Sequence, residues 1–432
     1  MISISKDANK NYIAKVVRLN GLRKHDNADR LQIASIDFQN VITGMNAKKG
    51  DLYIYFPVEC AINSELLSHT NSFNDAELNK NKEEKGFFEK NCRVKAMKLR
   101  GEKSCGYMIP VISLKGLLTD PESVFKDHVD EYFDTVNDII ICKKYVLPVK
   151  EHNSNVKKGK KPRISRLVDG QVHLHVDTEN LRKEAYKIKP QDDISITYKF
   201  HGSSFWVSNV LVNRKLSIFE KILKKLNVNI VDTEYDYIFG SRKVVKNQYE
   251  TQNVEDFYDG DLWGDIKDVL KGSIPKGFTL YGEVVGYTAS GKFIQQGYDY
   301  GCKEGEKKLK IYRITFTNVD GVVFDLSNKQ IFEFCNARNL DYVYEFYNGK
   351  AKNLFPEIKI DGEWKYNFVK NLEKEYNDKD CMMCVNKVPE EGIVIRKEGM
   401  EYFEAYKLKS FRFLEFESKQ LDGGVIDMES EQ

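Results

Sequence analysis

The sequence predicts an α+β fold in which a small all-β barrel precedes a larger domain of antiparallel sheets and helices. Two observations predict it. Residues 12 to 110 break into short apolar runs separated by turn residues, and beyond residue 190 strict strand alternation gives way to helical spacing. At ~100–200 residues per domain, 432 residues leave room for two or three domains.

The barrel strands are expected at Tyr12–Leu19, Leu31–Phe38, Asp51–Val58, Arg93–Arg100 and Gly106–Pro110. Between them, Asn71 to Asn91 is polar and charged enough to be a solvated insertion. Arg93, Lys95, Lys98 and Arg100 crowd one strand, which reads as a solvated edge or, more sharply, as a groove that tracks nucleic-acid phosphates. From Pro148 to Ser165, Lys157, Lys158, Lys160, Lys161 and Arg163 occupy a stretch without apolar periodicity, so it is expected to be a basic linker. The expected division is 1–147 for the barrel, 148–165 for the linker, 166–421 for the larger domain and 422–432 for an acidic tail.

In the larger domain, Ile194, Ile196, Tyr198 and Phe200 alternate with Ser195, Thr197 and Lys199, the pattern of a strand with one buried face. Leu216, Phe219, Leu223 and Leu226 then follow at helical spacing, and the helix is expected to pack on that sheet.

Basic and acidic residues nearly balance, 67 against 65 for a net charge of +2, so a polyanionic partner has to meet local basic surfaces. The first fifteen residues carry no signal-peptide core, and no stretch approaches the ~18–20 apolar residues of a membrane helix. Eight scattered cysteines fit a reducing compartment better than a disulfide framework. A cytoplasmic protein, cellular or virus- or phage-encoded, without membrane attachment is expected.

Four segments carry chemistry. Lys199-Phe200-His201-Gly202 sets a lysine at a strand end before a turn glycine, and Gly282-Glu283 puts a carboxylate in a strand where small neighbours let a ligand approach the backbone. Glu391-Gly392-Ile393-Val394-Ile395-Arg396 places an acid at the head of an apolar strand. Lys407 and Lys409, two apart, project from the same face.

In this order the four segments resemble motifs I, III, IV and V of the covalent nucleotidyltransferase superfamily of ATP-dependent ligases and mRNA-capping enzymes. The resemblance runs from about Asp177 to Lys409. It implies a nucleotidyltransferase (ATP-grasp-like ligase) domain in which Lys199 attacks the α-phosphate of ATP, forming lysyl-AMP and releasing pyrophosphate. A lysine near its ordinary pKa of about 10.4 is protonated and cannot attack, so the chemistry needs cations beside it. Lys407, Lys409 and Mg²⁺ (or Mn²⁺) would supply them and would also neutralise charge on the phosphate. By the same resemblance Glu391 holds the metal, Glu283 accepts a hydrogen bond from the ribose, and Gly202 lies against the nucleotide. Phe239-Gly240-Ser241-Arg242-Lys243 looks like motif Ia, with Arg242 on phosphate. Ile311-Tyr312-Arg313 stands at motif IIIa, with Tyr312 stacking on adenine, although a one-residue slip would put Ile311 there. His173 to Arg182 occupies the place of the segment before motif I, and Arg182 is either an ATP-phosphate ligand or a surface arginine.

Too few residues follow Lys409 for the C-terminal OB barrel of DNA ligases and capping enzymes. Tyr12–Val17, Tyr55–Cys60 and Lys98–Gly106 instead look like the N-terminal OB module of a nick-sealing RNA ligase family, and Ile294–Gly301 also resembles RNA ligases. The expectation is a monomeric ATP-dependent RNA ligase acting on a nicked duplex with an RNA 3′-hydroxyl strand, its barrel gripping the nucleic acid through Arg93, Lys95, Lys98 and Arg100. The rivals are a DNA ligase, a capping-type transferase, and a catalytically dead nucleic-acid-binding relative. His201 departs from the acidic residue many members carry in motif I, which puts a metal contact there in doubt. Cys381 and Cys384 form one CxxC without a second, a weak zinc signal.

Overall fold

The computed structural model describes residues 1–147, 166–242, 244–246 and 262–424. The basic stretch 148–165, Lys243 and the tail from 425 onward lie outside these residues.

The N-terminal half is built on a four-stranded antiparallel sheet in the order Tyr107–Pro110, Leu52–Phe56, Ala14–Arg18 and Tyr132–Phe133. Alternation gives it two buried faces. Ala14, Val16, Ile54 and Phe56 point into a core with Phe125 and Phe133, while Val17, Tyr53 and Tyr55 point into a second with Ala34 and Val41. Two hairpins are tighter than the sequence suggests. Ile36 pairs with Gln39 across Asp37 and Phe38, and Leu99 pairs with Glu102 across Arg100 and Gly101. All four turn residues have positive φ, as a two-residue hairpin whose twist matches its strands requires.

The polar segment 71–91 is an ordered loop. Asn79, 1% exposed, accepts a hydrogen bond from the Phe73 amide and donates to the carbonyls of Phe73 and Glu84, while Phe73 and Phe88 enter the barrel core.

The second half holds two sheets. One has five strands in the order Glu179–Asn180, Ala405–Lys409, Gly392–Lys397, Asp193–Lys199 and Glu345–Lys350, antiparallel except for the first short pair. Its outer face, with Ile194, Ile196, Ile393 and Ile395, packs under helix Trp364–Tyr376 through Trp364, Phe368 and Leu372. The other is a six-stranded antiparallel sheet containing Ser203–Asn213, Phe278–Gly286 and Lys307–Thr317, covered by helices Leu262–Leu270 and Asn328–Asn336. Their uncovered faces meet across a cleft.

Two expectations about elements fail. Helix Ile218–Lys225 forms, capped by Ser217 and Glu220, but it does not pack on the sheet. It sits in the connection between strands Ser203–Asn213 and Thr233–Gly240, leaving Ile218 80% and Phe219 69% exposed. The acidic tail does not begin at 422, because Asp422 closes helix Phe411–Asp422 and pairs with Arg93 and Lys95. Among the described residues, no helix is long and apolar enough to cross a membrane.

Candidate active site

Sheet register brings the predicted motifs together. Lys199 pairs with Gly392 and Gly392 with Lys409; Thr197 pairs with Val394 and Val394 with Lys407. Lys199, Lys407 and Lys409 therefore lie on adjacent rungs of one face, and all three line the cleft. Glu283 and Tyr312 line it from the opposite sheet.

At the centre stands Glu391, only 2% exposed. Its Oε1 lies 2.8 Å from Lys199 Nζ and 3.4 Å from Lys409 Nζ, and Lys409 Nζ continues to Glu417 Oε1 at 3.1 Å. The result is a line of alternating charges in which each buried ion has an opposite neighbour, the condition under which burial is tolerated. The strand holding Glu391 is fixed by its glycine: Gly392 has φ of +136°, and a Cβ there would sit 2.1 Å from the Leu408 carbonyl oxygen. Ser410 ties the end of the strand that carries Lys407 and Lys409 to the Glu390–Glu391 segment, its amide donating to the Glu391 carbonyl and its hydroxyl to that of Glu390. Burial pushes the Glu390 carboxyl up to about 7.

The turn after Lys199 is braced from 294–301. Tyr300 Oη accepts from the His201 amide at 2.7 Å, Gln295 donates to the Gly202 carbonyl at 2.9 Å, and Tyr298 donates to the Pro389 carbonyl. His201 is packed edge-on against Tyr298 and Phe413 and lies 7% exposed, a packing position. Gly202 is required by close approach, since a Cβ would meet the Val284 carbonyl oxygen at 2.6 Å, on the strand that carries Glu283.

Tyr312 is the residue that reaches the cleft, whereas Ile311 is buried in the core. The reason is a bulge: Tyr281 pairs with Arg313 and Gly282 with Ile311, leaving Tyr312 as the extra residue. Its hydroxyl bonds His175 Nδ1 at 2.9 Å. Arg242 also lines the cleft and donates from Nε to Asp177 Oδ1 at 2.8 Å. Burial alone would raise the Asp177 carboxyl, but the Arg242 guanidinium outweighs it and holds the group below its ordinary value.

Arg182 is not at the cleft. It is 7% exposed and donates from Nε to Glu373 at 2.7 Å and from Nη2 to the Lys409 carbonyl, so it supports the lysine strand from behind. Arg93 is no surface groove residue either. Its side chain is 0% exposed, donating to Glu59 at 3.0 Å, to the Ser418 carbonyl at 2.9 Å and to Asp422 at 2.5 Å. Lys95 pairs with Glu89 and Asp422. The run Arg93–Arg100 is thus not one strand: the strand begins at Ala96, and of the four basic residues only Lys98 and the hairpin-tip Arg100 are exposed. Burial raises the Glu59 carboxyl even against Arg93.

Sequence reasoning missed Glu59, Lys144, His175, Asp177 and Glu417 as cleft residues. Glu59 and Lys144 come from the N-terminal half, which no local pattern assigns to this site. Glu417 lies two helical turns beyond the Ser410 cap, a spacing that would bring it back over Lys409. Cys381 accepts a hydrogen bond from Tyr198, away from His173 and His175, and among the described residues no three His, Cys, Asp or Glu side chains gather to hold a metal by themselves.

A family model of an OB-fold domain matches residues 13–111. Solved structures of an RNA ligase from Naegleria gruberi match almost the whole chain. A variant with AMP and Mn aligns at TM-score 0.56 and 14% identity, covering 94% of this chain and 98% of that one. An apo variant gives 0.57 at the same identity and coverage. The complex with PPi gives 0.52 at 14% identity, with 94% and 99% covered. No curated protein matches the sequence. In fold, this chain is therefore similar to an RNA ligase over nearly its entire length, with an OB-fold domain at the N-terminal end and a domain of antiparallel sheets and helices after it.

Proposed function

We propose that this protein is an ATP-dependent RNA ligase that joins a 3′-hydroxyl to a 5′-phosphate through lysyl-AMP and AMP-capped RNA, acting as a monomer on a nicked duplex with an RNA 3′-hydroxyl strand. The observation that carries the reading is the contact of Lys199 with Glu391, flanked by Lys407 and Lys409 and faced by Glu283 and Tyr312 across one cleft.

The roles follow from that geometry. Lys199 Nζ must leave Glu391 and lose a proton before it forms the N–P bond to the α-phosphorus and the bond to pyrophosphate breaks. Lys407 and Lys409 project toward the phosphate and stabilise the charge that builds there, where fixed cations are worth most. Glu283 orients the ribose, and Tyr312, its hydroxyl anchored by His175, offers its ring to adenine. Arg242 stands at the phosphate side of the cleft. Among the described residues no cluster of side chains holds a divalent cation by itself, so Glu391 would supply one carboxylate and substrate oxygens and water the rest of the shell. When bound, Mg²⁺ or Mn²⁺ adds the positive charge that competes with the lysines for Glu391 and polarises the α-phosphate. AMP then passes to the 5′-phosphate, and the 3′-hydroxyl displaces it.

The solved relatives support the reading, since the Naegleria gruberi enzyme is an RNA ligase described in complexes with AMP, ATP and Mn. The test is covalent charging. The parent should acquire label from ATP marked in the α-phosphate and none from ATP marked in the γ-phosphate, and Lys199→Ala should acquire neither. A labelled Lys199→Ala protein overturns the assignment. Sealing of matched nicks that differ only in the sugar on each side then separates RNA from DNA joining.

A further inference from the structure

Cys381 and Cys384 take no part in the chemistry above, yet the fold sets them against each other. Met382 and Met383 form the centre of a turn. A turn brings the α-carbons of its end residues within about 7 Å, close to the separation a disulfide spans. The side chains already meet: Cys384 donates its S–H to Cys381 Sγ, which also accepts from the Tyr198 hydroxyl at 3.1 Å and from the Met383 and Cys384 amides. These donors, the Cys384 thiol foremost, hold the Cys381 thiol below its ordinary value against the burial that would raise it.

The other cysteines differ. Cys60, Cys92, Cys105, Cys142, Cys302 and Cys335 are buried, and burial pushes the thiols of Cys105 and Cys335 up to about 12. Cys60 and Cys142 also adjoin, but at 0% and 2% exposure they are sealed in the barrel core. Cys384 alone is half-exposed.

The pair touches both sides of the adenylation centre. Tyr198 precedes Lys199 on its strand. The Tyr300 amide donates to Cys384 Sγ, while the Tyr300 hydroxyl accepts from the His201 amide in the turn after Lys199. Asp299 pins the loop by accepting from the Val385 and Asn386 amides, each at 2.9 Å. The same loop runs on through Pro389, whose carbonyl accepts from Tyr298, to Glu391.

We propose that Cys381 and Cys384 are an oxidation site: a peroxide converts them to a disulfide, and the change suspends charging at Lys199. The Cys381 thiolate attacks one peroxide oxygen, the O–O bond breaks, and a sulfenic acid forms as hydroxide leaves. The Cys384 sulfur then displaces the sulfenic oxygen, which departs with the Cys384 proton as water. The two sulfurs give up two electrons, and the peroxide is reduced to water and hydroxide. In the disulfide Cys381 no longer offers a charged acceptor to Tyr198, the neighbour of Lys199. A dithiol reductant restores it by attack at the half-exposed Cys384. The effect on charging rests on the function proposed above, whereas the oxidation site does not.

The test treats the full-length protein with hydrogen peroxide, alkylates the remaining thiols and maps the disulfides by mass spectrometry. The peptide that spans Cys381 and Cys384 should lose two hydrogens, the other six cysteines should be alkylated, and dithiothreitol should return both thiols. Cys384→Ala should form no such bond and instead yield a sulfenic acid on Cys381 that dimedone captures. Charging by the oxidised parent should fall by about tenfold, the rate equivalent of one hydrogen bond to a charged group, and recover on reduction. The double variant Cys381→Ser with Cys384→Ser, treated in the same way, should keep its own untreated rate. Free thiols at Cys381 and Cys384 after treatment, a bridge between Cys60 and Cys142 in their place, or full-rate charging by the oxidised parent overturns the proposal. A parent that charges in neither state sinks the ligase reading, and the disulfide map then decides the site alone.

Discussion

Lys199, Glu391, Lys409 and Glu417 depend on one another, so removing any one of them leaves a neighbour buried with less compensation. Lys407→Ala and Lys409→Ala should each slow charging by roughly 10²–10³-fold, the usual effect of deleting one transition-state contact, measured by single-turnover label transfer. Near-normal charging in both would reduce them to surface lysines. Glu391→Ala should fail as well, with raised Mg²⁺ restoring only part of the rate. Glu390 makes a separate prediction about pH. Its carboxyl titrates near 7 when folded against an ordinary 4.5, so the folded protein keeps a proton that the unfolded chain gives up. That contribution to stability is complete below pH 4.5 and is lost as pH rises through 7. Glu390→Gln should therefore match the parent at acid pH and exceed it by on the order of 2 kcal/mol at pH 8 in urea denaturation. The motif residues were legible because each belongs to a short contiguous signature. Tyr312 was not fixed by alternation, because a bulge breaks the two-residue period where it stands.

Among the elements, periodicity identified what forms but not what covers it. The spacing of Phe219, Leu223 and Leu226 marks a helix, and a helix forms, yet the same spacing in Trp364–Tyr376 is what buries a core. Substitution should separate the two. Phe219→Lys, on a side chain 69% exposed, should change unfolding free energy by no more than about 0.5 kcal/mol. Phe368→Ala, 1% exposed and stacked on Trp364 at 4.7 Å, should cost about 3–5 kcal/mol. Equal effects would mean that Phe219 is covered in solution. The alternation of Ile194 to Phe200 marked the strand but not its burial on both faces, since Ser195 and Thr197 are buried too, on the side of the cleft. The run Arg93–Arg100 misled, because clustered charge looks solvated until a distant helix supplies the partners.

For the whole molecule, the decisive contact joins the two halves. Val58, Ala96 and Cys105 of the first meet Phe411 and Leu414 of the second, beside the bonds of Arg93 to Glu59, Ser418 and Asp422. Removing the N-terminal half would strip this buried face, so its part in charging is better tested by a point change. Lys144 lines the cleft from that half, and Lys144→Ala should lower charging with ATP more than sealing of an already adenylated nick, because only the first step releases pyrophosphate. Normal charging with a loss confined to the nick would assign the barrel to nucleic-acid grip alone. Arg93→Ala should cost about 3–5 kcal/mol in denaturation, since Glu59 would stay buried without its counterion. The same contact orders events in time. Ser418 lies 325 residues beyond Arg93, so a barrel emerging first from the ribosome carries an unfinished charge network and an uncovered apolar patch throughout the synthesis of the second half. Strand Ala405–Lys409 arrives equally late, and the growing chain has no complete cleft until its two halves can dock.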